Sequence, residues 1–402
     1  MKKKKHLVVI CGQHYPAPSP TATCAERYAL LFKDEYDIDF ISETENGDEE
    51  DVRLPSGIFA HTLTCKIRMI EKKSNGMTSK VMHTLGSFLL FTNLLGNQRW
   101  FRKAACKKLE EINSLHPIDV VFAVCSPLAA ICAGIDFKKT HPQIRLCSYT
   151  VDPYSTPDRI RPLFHTRQSM LCFERNALSS VDCCLLSEEV YNTRTDIRKG
   201  LHCEPLSYLM PQFLNNGEVE HKKANEKSIV NCVYAGSFYD SIRNPEYLMR
   251  VFTSLKDEQI TLHLYSKGCE KIISKYVPNE HIVVHGLVSQ TEIMEIYKKA
   301  DVLVGVGNAV SDFLPSKTFE YISLRKPIIS FNYEGVDNSV LKDYPYSLQL
   351  SNASPIERSV EGIKAFCKEL PSELVNQEQL GKIYAKYTPS SIKSVLAKAF
   401  NQ

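Results

Sequence analysis

The chain has 402 residues, of which 43% are hydrophobic and 24% are charged, and its net charge at pH 7 is +3. This length is long for one hydrophobic core, so two domains are expected. The small net charge gives no argument for a nucleic-acid partner. No 18-residue span is free of polar interruption, which argues against a transmembrane helix.

The basic start MKKKK is followed by an apolar run that is too short for a signal peptide, so a cytoplasmic protein is expected. The chain has fourteen cysteines, but it contains no C-x-x-C and no His/Cys cluster with zinc spacing. Many of the cysteines sit in apolar runs, namely Cys125, Cys132, Cys147, Cys183, Cys184 and Cys232. We therefore expect reduced, buried thiols, no structural metal and no cofactor.

The first half of the chain alternates strands with helices. A strand at 6–11 leads into the loop GQHYPAPSPTA, a helix at 22–33 and a strand at 37–41. The loop lacks the G-x-G-x-x-G fingerprint, so an ordinary dinucleotide site is not expected there. Asp37 and Asp39 are two residues apart in the second strand, and both are predicted on its solvent face.

The segment 77–108 is apolar for a stretch and is flanked by lysines and arginines. One or two helices are predicted. Two interpretations stay open: a core-packed helix with a basic outer side, or an amphipathic segment that makes peripheral contact with an anionic membrane surface. Strands at 118–124 and 144–149 and a helix at 127–139 follow, and Asp152 stands in the polar loop after the second of these strands.

Polar and charged residues collect at 211–227, which predicts an interdomain linker. A strand then runs from 229 into Gly236, and later elements include strands at 260–265 and 281–285 and a helix at 290–299.

The stretch 301–331 organises the second domain. A strand at 302–306, a polar loop, a helix from Pro315 to about 325 and a strand at 327–331 form a parallel unit. The loop and helix tip suit an anion, because the amides of Leu314, Ser316 and Lys317 lack helical partners and the helix dipole is positive there. A buried element with solvated polar residues at its tip is the alternative.

The spacing Asp312-x7-Glu320, with LPSKTFEY and RKPIISF, resembles the donor-site signature of retaining GT-B glycosyltransferases, notably glycosyltransferase family 4. The resemblance implies an α/β protein with two doubly wound Rossmann-like domains facing a cleft. It also implies that Asp312 contacts the donor sugar, that Glu320 contacts the nucleotide ribose and that the Ser/Lys helix tip holds the diphosphate. The family has Glu at the first position, where this chain has Asp.

The same resemblance assigns the loop after Gly236 to the donor diphosphate. Arg243, seven residues further on, matches the second basic position of the family. Ser237 stands directly after the glycine, where the family often has a basic residue. Arg243, Lys317 and Asp312 are therefore the candidate catalytic residues, and Gly236, Ser237, Leu314, Ser316 and Glu320 are the candidate donor-binding residues.

By the same resemblance, the loop after the first strand faces the cleft. His14, Ser19, Thr21 and Asp152 are the candidate acceptor-side residues. A proline-stiffened surface loop and an ordinary Asp-Pro turn are the alternatives.

The predicted domains are 1–210 on the acceptor side, a linker at 211–227, 228–386 for the nucleotide sugar, and a C-terminal helix at 387–402 that packs back on the first domain. The expected function is metal-independent transfer of a sugar from a nucleotide-sugar donor to a glycan or lipid-linked acceptor, with retention, in polysaccharide assembly. A GT-B nucleotide-sugar epimerase and a non-catalytic degenerate transferase that acts as a partner subunit are the alternatives.

Overall fold

The computed structural model describes residues 3–16, 18–44, 49–64, 97–156, 166–213, 215–220, 229–256, 259–309, 317–336 and 338–401. The chain divides into two compact units. Unit 1 comprises Met1–Leu209 with Lys386–Gln402, and unit 2 comprises Met210–Ala385.

Both units are built from strands and helices that alternate along the chain. The strands are β1 (Lys5–Ile10), β2 (Tyr36–Thr44), β3 (Asp51–Arg53), β4 (Phe59–Thr64), β5 (Val120–Cys125), β6 (Arg145–Thr150), β7 (Cys183–Ser187), β8 (Cys203–Leu206), β9 (Val230–Ser237), β10 (Ile260–Lys267), β11 (Ile282–Val284), β12 (Val302–Val306), β13 (Ile328–Asn332) and β14 (Ser347–Ser351). The helices are α1 (Pro20–Leu30), α2 (Asn97–Leu115), α3 (Leu128–Thr140), α4 (Arg167–Leu178), α5 (Glu188–Thr193), α6 (Thr195–Arg198), α7 (Glu246–Thr253), α8 (Glu270–Ile273), α9 (Gln290–Lys299), α10 (Lys317–Leu324), α11 (Ile356–Lys368), α12 (Gln377–Ile383) and α13 (Pro389–Asn401). Short 3-10 helices lie at Asn216–Glu218, Ser339–Leu341 and Ala385–Tyr387.

Unit 1 has an eight-stranded sheet in the order β3-β4-β2-β1-β5-β6-β7-β8, in which only the β3–β4 pair is antiparallel. Its apolar side chains alternate between two faces, as the strand period requires. Leu7 and Val9 pack with α1 and α13 on one face, and Val8 and Ile10 pack with α2, α3 and α4 on the other. Helices therefore cover both faces of a mainly parallel sheet.

Unit 2 has a six-stranded parallel sheet in the order β11-β10-β9-β12-β13-β14. One face is packed by α7 and α11, whose buried residues include Phe252 and Ile363. Buried Tyr297 of α9 and Phe319 of α10 belong to the other layer. The predicted pair of doubly wound α/β domains is confirmed, with one sheet in each unit.

The chain that leads into unit 2 is tied to it by Lys326. This side chain is almost fully buried, and its ammonium donates hydrogen bonds to the carbonyl oxygens of Glu220 and Ala300. The amide of Glu220 donates to the carbonyl of Lys298 at the end of α9. Glu220, at the end of the described segment 215–220, is therefore anchored on unit 2.

One prediction about the second strand is wrong. Asp37 is exposed, but the carboxylate of Asp39 lies 2.9 Å from Nε2 of His6 and 3.8 Å from Nε2 of His61. The strands on either side of β2 in the sheet, β1 and β4, carry His6 and His61, and these side chains flank Asp39 on the face predicted to be solvated.

The segment 77–108 is only partly described: residues 77–96 lie outside the described residues, and 97–108 belong to α2. None of the helices in the described part of the chain is both long enough and apolar enough to span a bilayer.

Candidate functional site

A pocket opens in unit 2 where β9 and β12 end and α10 begins. Its lining combines charged, polar and aromatic residues, namely Tyr234, Arg243, Gly305, Val306, Gly307, Lys317, Thr318, Tyr321, Ser330 and Asn338. Parallel sheets bind ligands at this edge, outside the carboxyl ends of the strands.

Lys317 is the first residue of α10, and its side chain is 35% exposed. Its Nζ lies 3.4 Å from Oη of Tyr297 and 4.0 Å from Oε2 of Glu320. The stem passes close to Gly236, because a Cβ atom built there would lie 3.6 Å from Cε of Lys317 and 3.1 Å from Oη of Tyr234. A side chain at position 236 would therefore crowd the Tyr234 hydroxyl, whereas its contact with the lysine stem would be an ordinary van der Waals one.

Arg243 ends the short loop that follows β9. The loop closes on itself, because Tyr239 and Arg243 exchange backbone hydrogen bonds of 3.1 and 2.8 Å. The guanidinium donates from Nε and Nη2 to Oδ1 of Asn308, over 3.1 and 2.7 Å. The arginine is therefore fixed by a neutral amide from the loop after β12.

Three tyrosines lie at the site: Tyr234 and Tyr321 line the pocket, and Tyr297 contacts Lys317. Oη of Tyr321 donates to the carbonyl of Val304 at 3.2 Å and lies 3.4 Å from Oη of Tyr297. Burial raises the pKa of Tyr297 and Tyr234 and raises that of Tyr321 to about 12. All three hydroxyls are therefore neutral at physiological pH, and they add no negative charge beneath the two cations.

The side of the pocket away from Arg243 is held by amides. Nδ2 of Asn338 donates to Oγ1 of Thr318, in the first turn of α10, at 3.0 Å. Gln349 accepts from Nδ2 of Asn332 at 2.9 Å and from the amide of Asn338 at 3.2 Å. This network ties the start of α10 to the ends of β13 and β14.

The structure brings together several of the predicted donor residues. Arg243 and Lys317 line one pocket, and Gly236 contacts that pocket through Tyr234 and Lys317. Glu320 lies one turn beyond Lys317 on α10, and Ser237 is the last residue of β9. Three further candidates, Asp312, Leu314 and Ser316, lie outside the described residues, so their roles stay predictions.

In unit 1, two of the four acceptor-side candidates meet. Oγ1 of Thr21 donates to Oδ2 of Asp152 at 3.2 Å. Ser19 caps α1, since its Oγ accepts from the amide of Ala22 at 3.2 Å. His14 is 2% exposed and its Nε2 lies 3.1 Å from Oε2 of Glu26. Ser19 and His14 thus have structural partners, and acceptor binding by any of the four stays a prediction.

Sequence reasoning missed Asn308 and the three tyrosines. The tyrosines lie in apolar segments, where aromatic residues are ordinary core residues. Asn308 had a usable signal, because it follows the apolar strand β12 directly and so stands at the carboxyl end of the sheet. In the part of the chain that the structure describes, no three His, Cys, Asp or Glu side chains group closely enough to hold a metal ion.

Residues 230–349 match the family model of glycosyl transferases group 1, a span that runs from β9 into β14. This span includes Gly236, Arg243, Asn308, Lys317 and Glu320. No curated protein matches the chain.

Solved structures match the whole chain at low identity. Sucrose-phosphate synthase from Thermosynechococcus elongatus is 11% identical over 99% of both chains, with a TM-score of 0.65. A structure described as trehalose-6-phosphate from E. coli bound with UDP-2-fluoro glucose is 12% identical over 99% of both chains, with a TM-score of 0.64. The apo form of the lipopolysaccharide outer core galactosyltransferase WaaB is 11% identical over 98% of this chain and 99% of that chain, with a TM-score of 0.62. The chain has the GT-B fold, and the family match in unit 2 supports sugar transfer.

Proposed function

We propose that this protein transfers a glycosyl group from a nucleotide-sugar donor to a glycan or lipid-linked saccharide, with retention at the anomeric carbon. The observation that carries the proposal is the pairing of Arg243 and Lys317 on one pocket at the carboxyl edge of the unit 2 sheet. Both lie within the span that matches glycosyl transferases group 1.

The two cations suit a diphosphate leaving group. When the bond between the sugar carbon and the phosphate oxygen breaks, negative charge grows on the diphosphate. The acceptor oxygen forms the new bond to the same carbon, and the proton of the acceptor hydroxyl passes to the departing phosphate oxygen. Preorganised donors and charges aimed at this growing charge lower the barrier. Arg243 would bind phosphate oxygens with its fork, and Lys317 would act as a mobile point charge.

The remaining donor contacts follow from the resemblance to family 4. Glu320, whose side chain is 20% exposed, would accept hydrogen bonds from the ribose hydroxyls. Asp312 would orient the sugar. One structural neighbour is bound with UDP-2-fluoro glucose, which supports a nucleotide sugar as the donor here.

We further propose that the reaction needs no divalent metal. The side chains of Arg243 and Lys317 would supply the positive charge that a metal supplies elsewhere. For the acceptor, the linked pair Thr21 and Asp152 in unit 1 are the proposed ligands, because the carboxylate could accept hydrogen bonds from sugar hydroxyls.

Thermal unfolding with UDP, GDP, ADP and dTDP and their glucose conjugates, in EDTA, tests the donor site. A ligand at about 100 times its dissociation constant stabilises the folded state by about 2.7 kcal/mol. We expect one base to raise the melting temperature of the wild type and Lys317→Ala to lose that shift. Lys382→Ala is the matched control, because this exposed lysine forms a surface ion pair with Glu378 at 2.8 Å and lies beyond the matched span.

If nothing in the panel shifts the wild type, the transferase proposal fails and a non-catalytic partner subunit becomes the better hypothesis. If a sugar conjugate binds, product analysis without acceptor follows. A changed sugar would then indicate an epimerase.

A further inference from the structure

We propose that Asn308 is a positioning residue that holds the Arg243 guanidinium ready for the leaving diphosphate without neutralising its charge. The inference rests on the proposed function of the same site, and it assigns a role to a residue outside the donor signature. It starts from two hydrogen bonds, in which Oδ1 of Asn308 accepts from both Nε and Nη2 of the arginine.

Asn308 is itself firmly placed. It is 8% exposed, and the backbone is anchored on both sides of it. The amide of Gly307 donates to the carbonyl of Phe331 in β13 at 2.8 Å, and the amide of Ala309 donates to the carbonyl of Ile242 at 2.7 Å. The second bond joins the Asn308 loop to the Arg243 loop, so the distance between amide and guanidinium is set by the backbone as well.

Such a support restricts Arg243 at a place where the tip of its own loop is exposed. The neighbouring side chains of Tyr239 and Ile242 are 54% and 38% exposed. A long side chain on an exposed loop loses rotamer freedom when it binds an anion, and that loss weakens binding. Hydrogen bonds to Asn308 restrict the arginine before the ligand arrives.

The choice of an amide over a carboxylate has a consequence for the charge. A carboxylate would hold the fork more tightly, but its negative charge would cancel much of the field that attracts phosphate. A neutral oxygen orients two of the five guanidinium N–H groups and leaves the net charge at +1. A buried arginine in unit 1, Arg194, has the carboxylate partner instead: it is held by Asp196 at 2.9 Å.

A double-mutant cycle tests the coupling. UDP, GDP, ADP and dTDP are titrated calorimetrically into the full chain, and the base that binds the wild type is used for all variants. We expect Asn308→Ala to weaken binding about tenfold, a typical effect of losing hydrogen bonds to a charged group. Arg243→Ala should weaken it more, by about 50-fold. The double variant should bind no more weakly than Arg243→Ala, since Asn308 acts through the arginine.

Asn308→Asp separates positioning from a structural role. Asp has nearly the same shape and accepts the same hydrogen bonds, so a structural role predicts wild-type melting temperature and wild-type affinity. Positioning without neutralisation predicts a wild-type melting temperature with affinity reduced at least tenfold. Asn376→Ala is the matched control: it removes an asparagine that caps α12 and should lower stability without changing affinity.

If the wild type binds a nucleoside diphosphate and a folded Asn308→Ala binds equally well, or its effect adds in full to that of Arg243→Ala, the positioning role is overturned and the proposed function stands. If the alanine variant does not fold, wild-type affinity in Asn308→Asp overturns the role. If the wild type binds none of the four diphosphates, the proposed function and this inference both fail.

Discussion

Three cations of unit 1 and the two cations of the unit 2 pocket are held by different kinds of partner. In unit 1, the half-buried Arg102 and Lys138 and the buried Arg194 each contact a carboxylate, at 2.5 Å from Asp136, 2.5 Å from Asp182 and 2.9 Å from Asp196. In the unit 2 pocket, Arg243 is held by an amide oxygen and Lys317 lies nearest a tyrosine hydroxyl, with the closest described carboxylate 4.0 Å away.

Under the proposed function, this difference separates charges that stabilise the fold from charges that bind the donor diphosphate. A cation paired with a carboxylate has little field left for an incoming anion, whereas one held by neutral groups retains its charge. The partner of a cation therefore says more about its role than its residue type does. Three predictions test this comparison at Glu174, Asp39 and Ser19 of unit 1, which should matter for stability and not for diphosphate affinity.

The largest effect is expected at Glu174, which is fully buried in unit 1. Its carboxylate accepts hydrogen bonds from the amides of Tyr154 and Ser155, at 2.7 and 3.1 Å, and from Oγ of Ser155 at 2.6 Å. Glu174→Ala would leave these buried donors without an acceptor. We expect a loss of about 3 kcal/mol in the free energy of unfolding and unchanged diphosphate affinity in unit 2.

The chain's single tryptophan, Trp100, packs against the unit 1 core, so its fluorescence during urea unfolding reports on this unit. Glu35→Ala is the control, because Glu35 forms an exposed ion pair with Lys393, and such pairs contribute less than about 1 kcal/mol. A loss of diphosphate affinity in Glu174→Ala at full unit 1 stability would break the comparison.

Elements that depend on local sequence could be predicted, whereas contacts between distant residues could not. The spacing of apolar residues and the polar residues that bound each element predicted α9 and β12 at their observed bounds, because both signals are local in the sequence. Strands β4 and β8 were missed, since FAHTLT and CEPL have too few apolar residues to show a strand pattern. Arg243 and Lys317 were named from motif spacing. Asn308 lies 65 residues from Arg243, and which oxygen accepts from that guanidinium is decided only by the folded chain.

A smaller effect is expected from the pH dependence of Asp39. Burial raises the pKa of this carboxyl, but hydrogen bonds from His6 and His61 outweigh burial and lower the pKa to about 2. For His6, burial lowers the pKa, and the hydrogen bond and charge of Asp39 outweigh it, so the net shift is upward from 6.5. The interaction is therefore strongest between the two ordinary pKa values.

This window has two edges. As pH falls below about 5, Asp39 gains a proton sooner in the unfolded chain, so up to about 2 kcal/mol of stability is lost by pH 2. As pH rises through the raised pKa of His6, the imidazolium loses its proton and the charge attraction fades. Urea unfolding followed by Trp100 fluorescence from pH 3 to pH 9 should show Asp39→Asn with a flatter profile than the wild type. An equally steep dependence of stability on pH in Asp39→Asn would show that the Asp39–His6 pair does not stabilise unit 1.

The smallest effect is expected at Ser19, an uncharged residue in the loop that is predicted to bind the acceptor. Ser19→Ala removes the cap of α1 and should cost about 1 kcal/mol of unit 1 stability. Ser19→Asp should restore that stability, because Asp caps a helix as well as Ser does and its charge suits the positive helix end. Diphosphate affinity should be unchanged in both variants. Once an acceptor is known, full turnover in Ser19→Asp would assign Ser19 to the fold, whereas restored stability with lost turnover would return it to the acceptor site.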